Sequence, residues 1–259
     1  MTIIETNDFA GERVVCWFSC GATSAVATLK ALEKYRGKLP VEICYCDTGS
    51  EHPDNMRFLL DMQRIYGQPI TILKNPKFKD CWDVWEKRRY IAGIAGAPCT
   101  SEMKIKPRIE FQRPTDIQVF GFGGEEIERK KRFEENHKEI YVECPLIDAS
   151  LDKQECFVIL TRLGVELPMM YRLGYRNANC VCCPKGMAGY WNKIRIDFPE
   201  NFNRMAKLER KLNAAINKSY KGGERQRIFL DELDPLAGRY QDIDVSCGFD
   251  CELEENKDV

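Results

Sequence analysis

The stretch from Phe18 to Val26 reads FSCGATSAV. It joins a β-branched run, RVVCWF at 13–18, to a helix-compatible run, SAVATLKALEKY at 24–35. Gly21 permits a tight strand-to-helix turn, and Ser19, Thr23 and Ser24 supply hydroxyl groups to it. A helix starting here adds backbone N–H groups and the positive end of its dipole, which suit a phosphate or pyrophosphate. One glycine and three hydroxyl residues also describe an ordinary βα turn, so the loop alone leaves both readings open.

Outward from this loop, short β-rich runs alternate with helical periods. VEICYC at 41–46, PITIL at 69–73 and DIQVFGF at 116–122 read as further strands. Helices are expected at Ser24–Tyr35, Pro53–Tyr66, Trp82–Arg89, Asp152–Leu163 and Asn201–Ser219. In the last, Phe202, Met205, Leu208, Leu212 and Ile216 recur at helical spacing, and Asp197, Pro199 and Glu200 offer a capped start. This alternation predicts an α/β fold with a parallel twisted sheet, helices on both faces, and right-handed crossovers. The expected division is an α/β nucleotide-binding domain over 1–175, with a cysteine-containing helical and irregular region over 176–259 packed on it. Beyond about residue 220 the chain reads as mostly irregular. Ligands of such sheets bind beyond the carboxyl ends of the strands, which is where the 18–26 loop falls.

The 259 residues are 44% hydrophobic and 31% charged, as in a water-soluble globular protein. A net charge of −1 gives no overall field to steer a polyanion. Locally the balance differs: Lys185–Arg227 carries +7, and the stretch from Asp231 onward carries −8. The basic stretch reads either as a nucleic-acid patch, with Tyr190 and Trp191 for stacking, or as a helix face folded against acidic chain. No apolar run approaches the roughly 18 residues that cross a bilayer, and the first 15 residues lack the features of a secretory signal. A cytoplasmic location is therefore expected, where 13 cysteines point to metal or redox chemistry rather than disulfides. His52 and His137, the only histidines, read as exposed side chains.

Five stretches in one order carry a family resemblance. FSCGATSAV resembles the SGGxDS phosphate loop of the adenine nucleotide α-hydrolase-like (PP-loop) superfamily. CYCDTGSEHPDNMRFL at 44–59 resembles its NTGxE segment, and CTSEMKIKP at 99–107 its CTxxLKxxP motif. GFGGEEIERKKR at 121–132 resembles GxRxxES, and PMMYRLGYRNANCVCCP at 168–184 resembles PxxYxxGYxxxxCxxC. Together they resemble the phosphoadenosine phosphosulfate (PAPS) reductase family over residues 13–185. The resemblance implies phosphate contacts from Ser19, Gly21, Thr23 and Ser24, and adenosine contacts from Asp47, Thr48 and Glu51. The chain departs from the pattern at Ala22, Thr23 and Gly123, where the family carries Lys or Arg, Asp, and Arg. Lys104, Lys106, Arg108 and Arg129, with Arg132, are the cations available in compensation.

Cys180 and Cys183 form a Cys-x-x-Cys pair, and Cys247 and Cys251 lie four apart. Two such pairs suit zinc or an iron–sulfur cluster, and spacing does not choose between them. The resemblance favours a [4Fe–4S] cluster on Cys99, Cys180 and Cys183. Thr100 replaces an adjacent cysteine, so Cys182, Cys247 or Cys251 is expected to give the fourth ligand. CGF at 247–249 is similar to the family's ECGLH segment, which makes Cys247 the candidate nucleophile and implies a thioredoxin-type reductant. Acidic neighbours Asp244, Asp250 and Glu252 oppose a thiolate there. Cys16, Cys20, Cys44, Cys46, Cys81, Cys144 and Cys156 read mostly as packing residues.

Three functions follow. The first is an enzyme of sulfur metabolism that binds ATP, PAPS or adenosine phosphosulfate for sulfonucleotide reduction or nucleotide-dependent sulfur transfer. The second is ATP-dependent thiolation or phosphorothioation of nucleic acid. The third is a non-catalytic nucleotide sensor with a structural metal.

Overall fold

A computed structural model describes residues 11–93, 96–221 and 224–238. Five strands form one sheet: β1 (Arg13–Phe18), β2 (Val41–Cys46), β3 (Thr71–Leu73), β4 (Asp116–Val119) and β5 (Tyr141–Glu143), in the order β3-β2-β1-β4-β5. β1 pairs in parallel with β2 and with β4, and β4 in parallel with β5. β1 is buried from Val14 to Phe18, as a central parallel strand covered on both faces requires. The parallel α/β sheet expected from the alternation is the one that forms. β5 escapes the sequence reading because a three-residue strand leaves no periodic signal.

Eleven named helical segments accompany the strands among the described residues. α1 (Ala22–Tyr35) is rich in alanine on its buried side, so its backbone lies close to β1; α2 spans Asp54–Tyr66. α3 (Cys81–Arg88) starts where the Asp80 carboxylate accepts the Asp83 N–H. α4 (Pro98–Thr100) runs through a π-helical turn at Ser101–Ile105 into α5 (Lys106–Phe111). α6 (Ile127–Asn136), α7 (Pro145–Asp148) and α8 (Lys153–Arg162) follow, the last behind a capping box of Asp152 and Glu155. α9 (Met169–Arg172), α10 (Ala188–Asp197) and α11 (Pro199–Leu212) complete the set.

The chain forms two compact units, each assembled from separated stretches. Among the described residues, the first takes those of 11–45, 62–71 and 111–164, and the second those of 46–61, 72–110 and 165–238. In the first, Val14, Val15, Ile43 and Leu160 are buried with a cluster of Phe120, Phe122 and Phe133. In the second, Trp82, Trp85, Met103, Tyr190, Trp191 and Phe202 pack with Cys81, Cys99, Cys180, Cys182 and Cys183 in one core.

Several expectations need correction. The helix expected to reach Ser219 stops at Leu212, where Asn213 turns left-handed at φ +51°. Asp197 does not cap that helix: Phe198 holds the N-cap position, and Asp197 accepts from Tyr175 Oη at 2.9 Å and pairs with Lys193 at 2.7 Å. The segment past 220 is not irregular throughout, because β6 (Asn217–Lys221) and β7 (Glu224–Ile228) make an antiparallel pair. The Glu209 carboxylate ties this region together, accepting the Ile216 and Leu230 N–H groups at 2.6 Å each. His137 is buried, its ring 4.4 Å from that of Phe133, because the aromatic cluster of the first unit covers it. Among the described residues no helix is long and apolar enough to cross a membrane.

Candidate functional site

The strand order reverses between β1 and β4: the chain steps outward through β2 and β3, then returns to the other side of β1. In open parallel sheets, that switch point is where loops leave adjacent strands in opposite directions and a crevice forms. The loop after β1 is built around one hydroxyl. Ser24 Oγ donates to the Gly21 carbonyl at 2.9 Å and receives the Ser19 N–H and the Ser19 hydroxyl, each at 3.1 Å. Gly21 is the N-cap of α1, and no side chain caps the helix; its first turn holds no acidic residue. The helix end therefore keeps its positive field uncompensated by local carboxylates. Cys20 takes the left-handed conformation at φ +56° and is buried, while Ser19 faces outward. Thr23 and Gly21 are half-buried.

The loop after β4 presses against this one. A Cβ on Gly121 would stand 2.5 Å from Ser24 Cα and 2.6 Å from Ser24 N, so only glycine permits the approach. Farther along, Gly123 N–H donates to Glu126 at 2.8 Å. Arg129 ion-pairs with Glu126 and lies 4.8 Å over the Phe122 ring.

In the second unit, two of the three residues expected to contact adenosine, Thr48 and Glu51, adjoin the cysteine turn. Asp47 closes its own turn on the Gly49 N–H at 2.8 Å and pairs with Lys74 at 2.6 Å. Thr48 Oγ1 lies 3.1 Å from Cys180 Sγ, Glu51 bridges Cys180 through the backbone, and the Val181 N–H donates to Ser50 O. Glu51 is held by Asn55 at 2.8 Å and faces Lys104 Nζ at 3.7 Å. Lys106 pairs with Glu102 at 2.8 Å, and Arg108 is buried. The expected phosphate cations Lys104, Lys106 and Arg129 thus each have a carboxylate beside them.

Tyr190 organises the Cys180–Cys183 turn. Its hydroxyl is within 3.1 Å of the Cys183 N–H and of the Cys180 and Val181 carbonyls. Gly186 lets the ring in: a Cβ there would stand 1.9 Å from Tyr190 Cδ1. The Cys81 thiol lies 3.7 Å from the Thr48 carbonyl, and the neighbouring Cys180 and Cys99 thiols, with burial, push its pKa well above the ordinary thiol value. Burial raises Cys182 likewise, and the nearby Cys180 and Cys99 act in the same direction. Cys81, read from sequence as a packing residue, is the first residue of α3 and is buried. Among the described residues no group of three or more His, Cys, Asp or Glu stands where it could hold a metal ion. The donor chemistry nonetheless suits a thiophilic metal group, and the same core buries the indole N–H groups of Trp85 and Trp191 without partners. Cys247 and Cys251 lie outside the described residues.

The basic stretch from Lys185 does not form a stacking platform. Tyr190 and Trp191 are buried, Lys193 is buried on Asp197, and Arg210 pairs with Asp231 and Glu232 at 2.8 Å. Lys211 reaches Glu86, and Arg195 bonds to the Leu230 and Leu233 carbonyls. A helix face folded against acidic chain describes these contacts.

Fold and loop define the class: a parallel α/β sheet with a glycine- and hydroxyl-bearing loop at its switch point, the architecture that the PAPS reductase resemblance implies. No family model matches the chain. An uncharacterized protein of Methanocaldococcus jannaschii is 27% identical over 216 residues, covering 76% of this chain and 42% of its own length. A second from that organism is 25% identical, with 72% and 45% covered. The uncharacterized nin region protein ORF290 of Escherichia phage lambda is 28% identical, with 35% and 39% covered. The chain thus spans less than half the length of these curated relatives. Similar solved structures include the PAPS reductase of Candida auris in a phosphate complex, at 15% identity and TM-score 0.45, covering 64% of this chain and 81% of that one. Another is the U34-tRNA thiolase NcsA of Methanococcus maripaludis with its [4Fe–4S] cluster, at 14% identity and TM-score 0.44, covering 78% and 73%.

Proposed function

We propose that this chain is an enzyme of sulfur chemistry that binds an adenine nucleotide by its phosphates at the start of α1. The observation that carries this reading is the uncapped helix start at the switch point, braced by Ser24 and flanked by Gly121. Ser19, Gly21, Thr23 and Ser24 are assigned to the phosphates, through backbone N–H and hydroxyl donors. With Ala22 in place of a cation, affinity rests on dipoles more than on point charges. The nucleotide is ATP, PAPS or adenosine phosphosulfate, and the reaction is sulfonucleotide reduction or nucleotide-dependent sulfur transfer.

The cysteine core is assigned to an iron–sulfur group, with Cys99 and Cys180 among its holders and Cys183 beside them in the turn. Bound there, such a group supplies electron-transfer capacity. The chain's own residues fix the turn through Tyr190 and shield it from solvent among aromatic side chains. Cys247 remains the nucleophile assigned to the reductase reading, with a thioredoxin-type protein as its reductant.

Calorimetry with ATP, PAPS and adenosine phosphosulfate tests the nucleotide assignment. Saturable binding of at least one, lost in Gly121→Val, is the expected result. No heat from any of the three in a folded protein would refute it. Sulfite release from PAPS with thioredoxin then selects reduction. Nucleotide cleavage only in the presence of RNA or DNA selects nucleic-acid modification, and binding without any turnover selects a sensor.

A further inference from the structure

Two helices of the second unit, α3 and α11, touch at two points along a row of cations. The Arg204 guanidinium of α11 sits 4.2 Å over the Trp82 ring of α3, and Lys211 of α11 stands 3.3 Å from Glu86 of α3. Arg204, Lys207 and Lys211 follow at i, i+3 and i+7, so they share one face of α11, and the two contacts set that face beside α3. The last turn of α3 and its cap add Lys87, Arg88 and Arg89. All six side chains are exposed.

Carboxylates answer three of these six. Asp83 pairs with Lys87 at 2.8 Å, Glu86 with Lys211, and the buried Glu102 with Arg88. Among the described residues no carboxylate pairs with Arg89, Arg204 or Lys207; Asp231 and Glu232, the nearby acidic chain, are taken by Arg210. Arg204 and Lys207, like charges at i, i+3, repel each other, which an anionic partner relieves. Arg204 is also held on the surface by an indole ring, without spending its hydrogen-bond donors on that contact. A guanidinium fork fixed this way suits phosphate oxygens.

The shape of the row favours a long anion over a single phosphate. From Arg204 to Lys211 the helix rises about 10.5 Å, at roughly 1.5 Å per residue. Over that length one strand of a duplex presents about three phosphates. We propose that the α3–α11 ridge binds the phosphodiester backbone of a nucleic-acid strand through Arg89, Arg204 and Lys207. Trp82 is buried and gives no open face for a base, so the contact is to the backbone, insensitive to base sequence and sensitive to salt. The ridge lies wholly in the second unit, and the inference stands whether or not the start of α1 binds a nucleotide.

The test is fluorescence polarisation of labelled single-stranded RNA and DNA with the full chain, in the absence of nucleotide, from low to high salt. Saturable binding of RNA, DNA or both is expected, and supports the inference while naming the strand. Arg89→Ala/Arg204→Ala/Lys207→Ala is expected to weaken it about tenfold or more and to lower the salt slope by about 2, at roughly 0.7 per phosphate contact. Lys38→Ala/Lys131→Ala/Lys138→Ala removes the same charge from exposed sites of the first unit and is expected to leave binding unchanged. Equal loss in both triple variants is a general charge effect and overturns the inference. Absence of saturable binding at low salt overturns it too. Poly-glutamate competing as well as nucleic acid of equal charge also overturns it and assigns the ridge to an acidic protein. Should the first triple variant not fold, Lys207→Glu decides: severalfold weaker binding supports the ridge, and unchanged affinity overturns it.

Discussion

The turn at Ser19–Ser24 and the turn at Cys180–Cys183 are built on different terms. In the first, a single hydroxyl, that of Ser24, braces the loop from within, and Ser19 faces outward. In the second, the chain is buried, and a phenol from α10 satisfies three of its backbone groups. An exposed turn can exchange water for a ligand at little cost to the fold. A buried one cannot be altered without leaving polar groups unpaired. The first should therefore respond to substitution in binding, and the second in stability.

Four measurements test that contrast. Gly186→Ala drives a methyl into the Tyr190 ring, and is expected to cost about 3 kcal/mol or more, read as a lower urea midpoint. A near-native midpoint would mean that the ring is free to move and the turn is not fixed by it. Glu209 comes next. Burial pushes its carboxyl up to about 7 from 4.5, so the folded chain holds a proton that the unfolded chain has lost between those values. Stability from this group is present below pH 4.5 and is lost as the pH rises through about 7, by up to roughly 3 kcal/mol. Urea titrations across that range should show the decline in the unmodified protein and a flatter profile in Glu209→Gln. Equal slopes would sink the assignment.

Tyr190→Phe removes the hydroxyl but keeps the ring, with an expected loss of about 2 kcal/mol, chiefly from the buried Val181 carbonyl, since the Cys183 N–H and the Cys180 carbonyl also pair with each other. At the other turn, Ser19→Ala should change stability by less than about 0.5 kcal/mol. Its nucleotide affinity should fall roughly tenfold, as the loss of one hydroxyl contact predicts. If Ser19→Ala unfolds the protein while Tyr190→Phe does not, the two turns have been assigned the wrong way round.

The sequence was most informative where local rules decide structure. β1, α1, β2 and α2 follow from β-branched runs and helical spacing, and the loop between β1 and α1 from its glycine and hydroxyls. The helix expected over Asp152–Leu163 forms as α8, behind a capping box of Asp152 and Glu155 that the sequence reading did not single out. The β6–β7 pair went unread because NKSYK and ERQRI carry no apolar alternation; the Gly222-Gly223 pair between them was the available hint. Asp197 was misread because a tertiary demand, from Tyr175 and Lys193, outweighed local capping.

The interleaving of the two units has a practical meaning. The chain passes from one to the other at 45–46, 61–62, 71–72, 110–111 and 164–165. Neither unit is a continuous piece that could be excised, expressed alone or exchanged as a cassette. No single cut at these junctions releases one complete unit free of the other, so deletion mapping would not separate their roles. Dissecting this protein requires point substitutions.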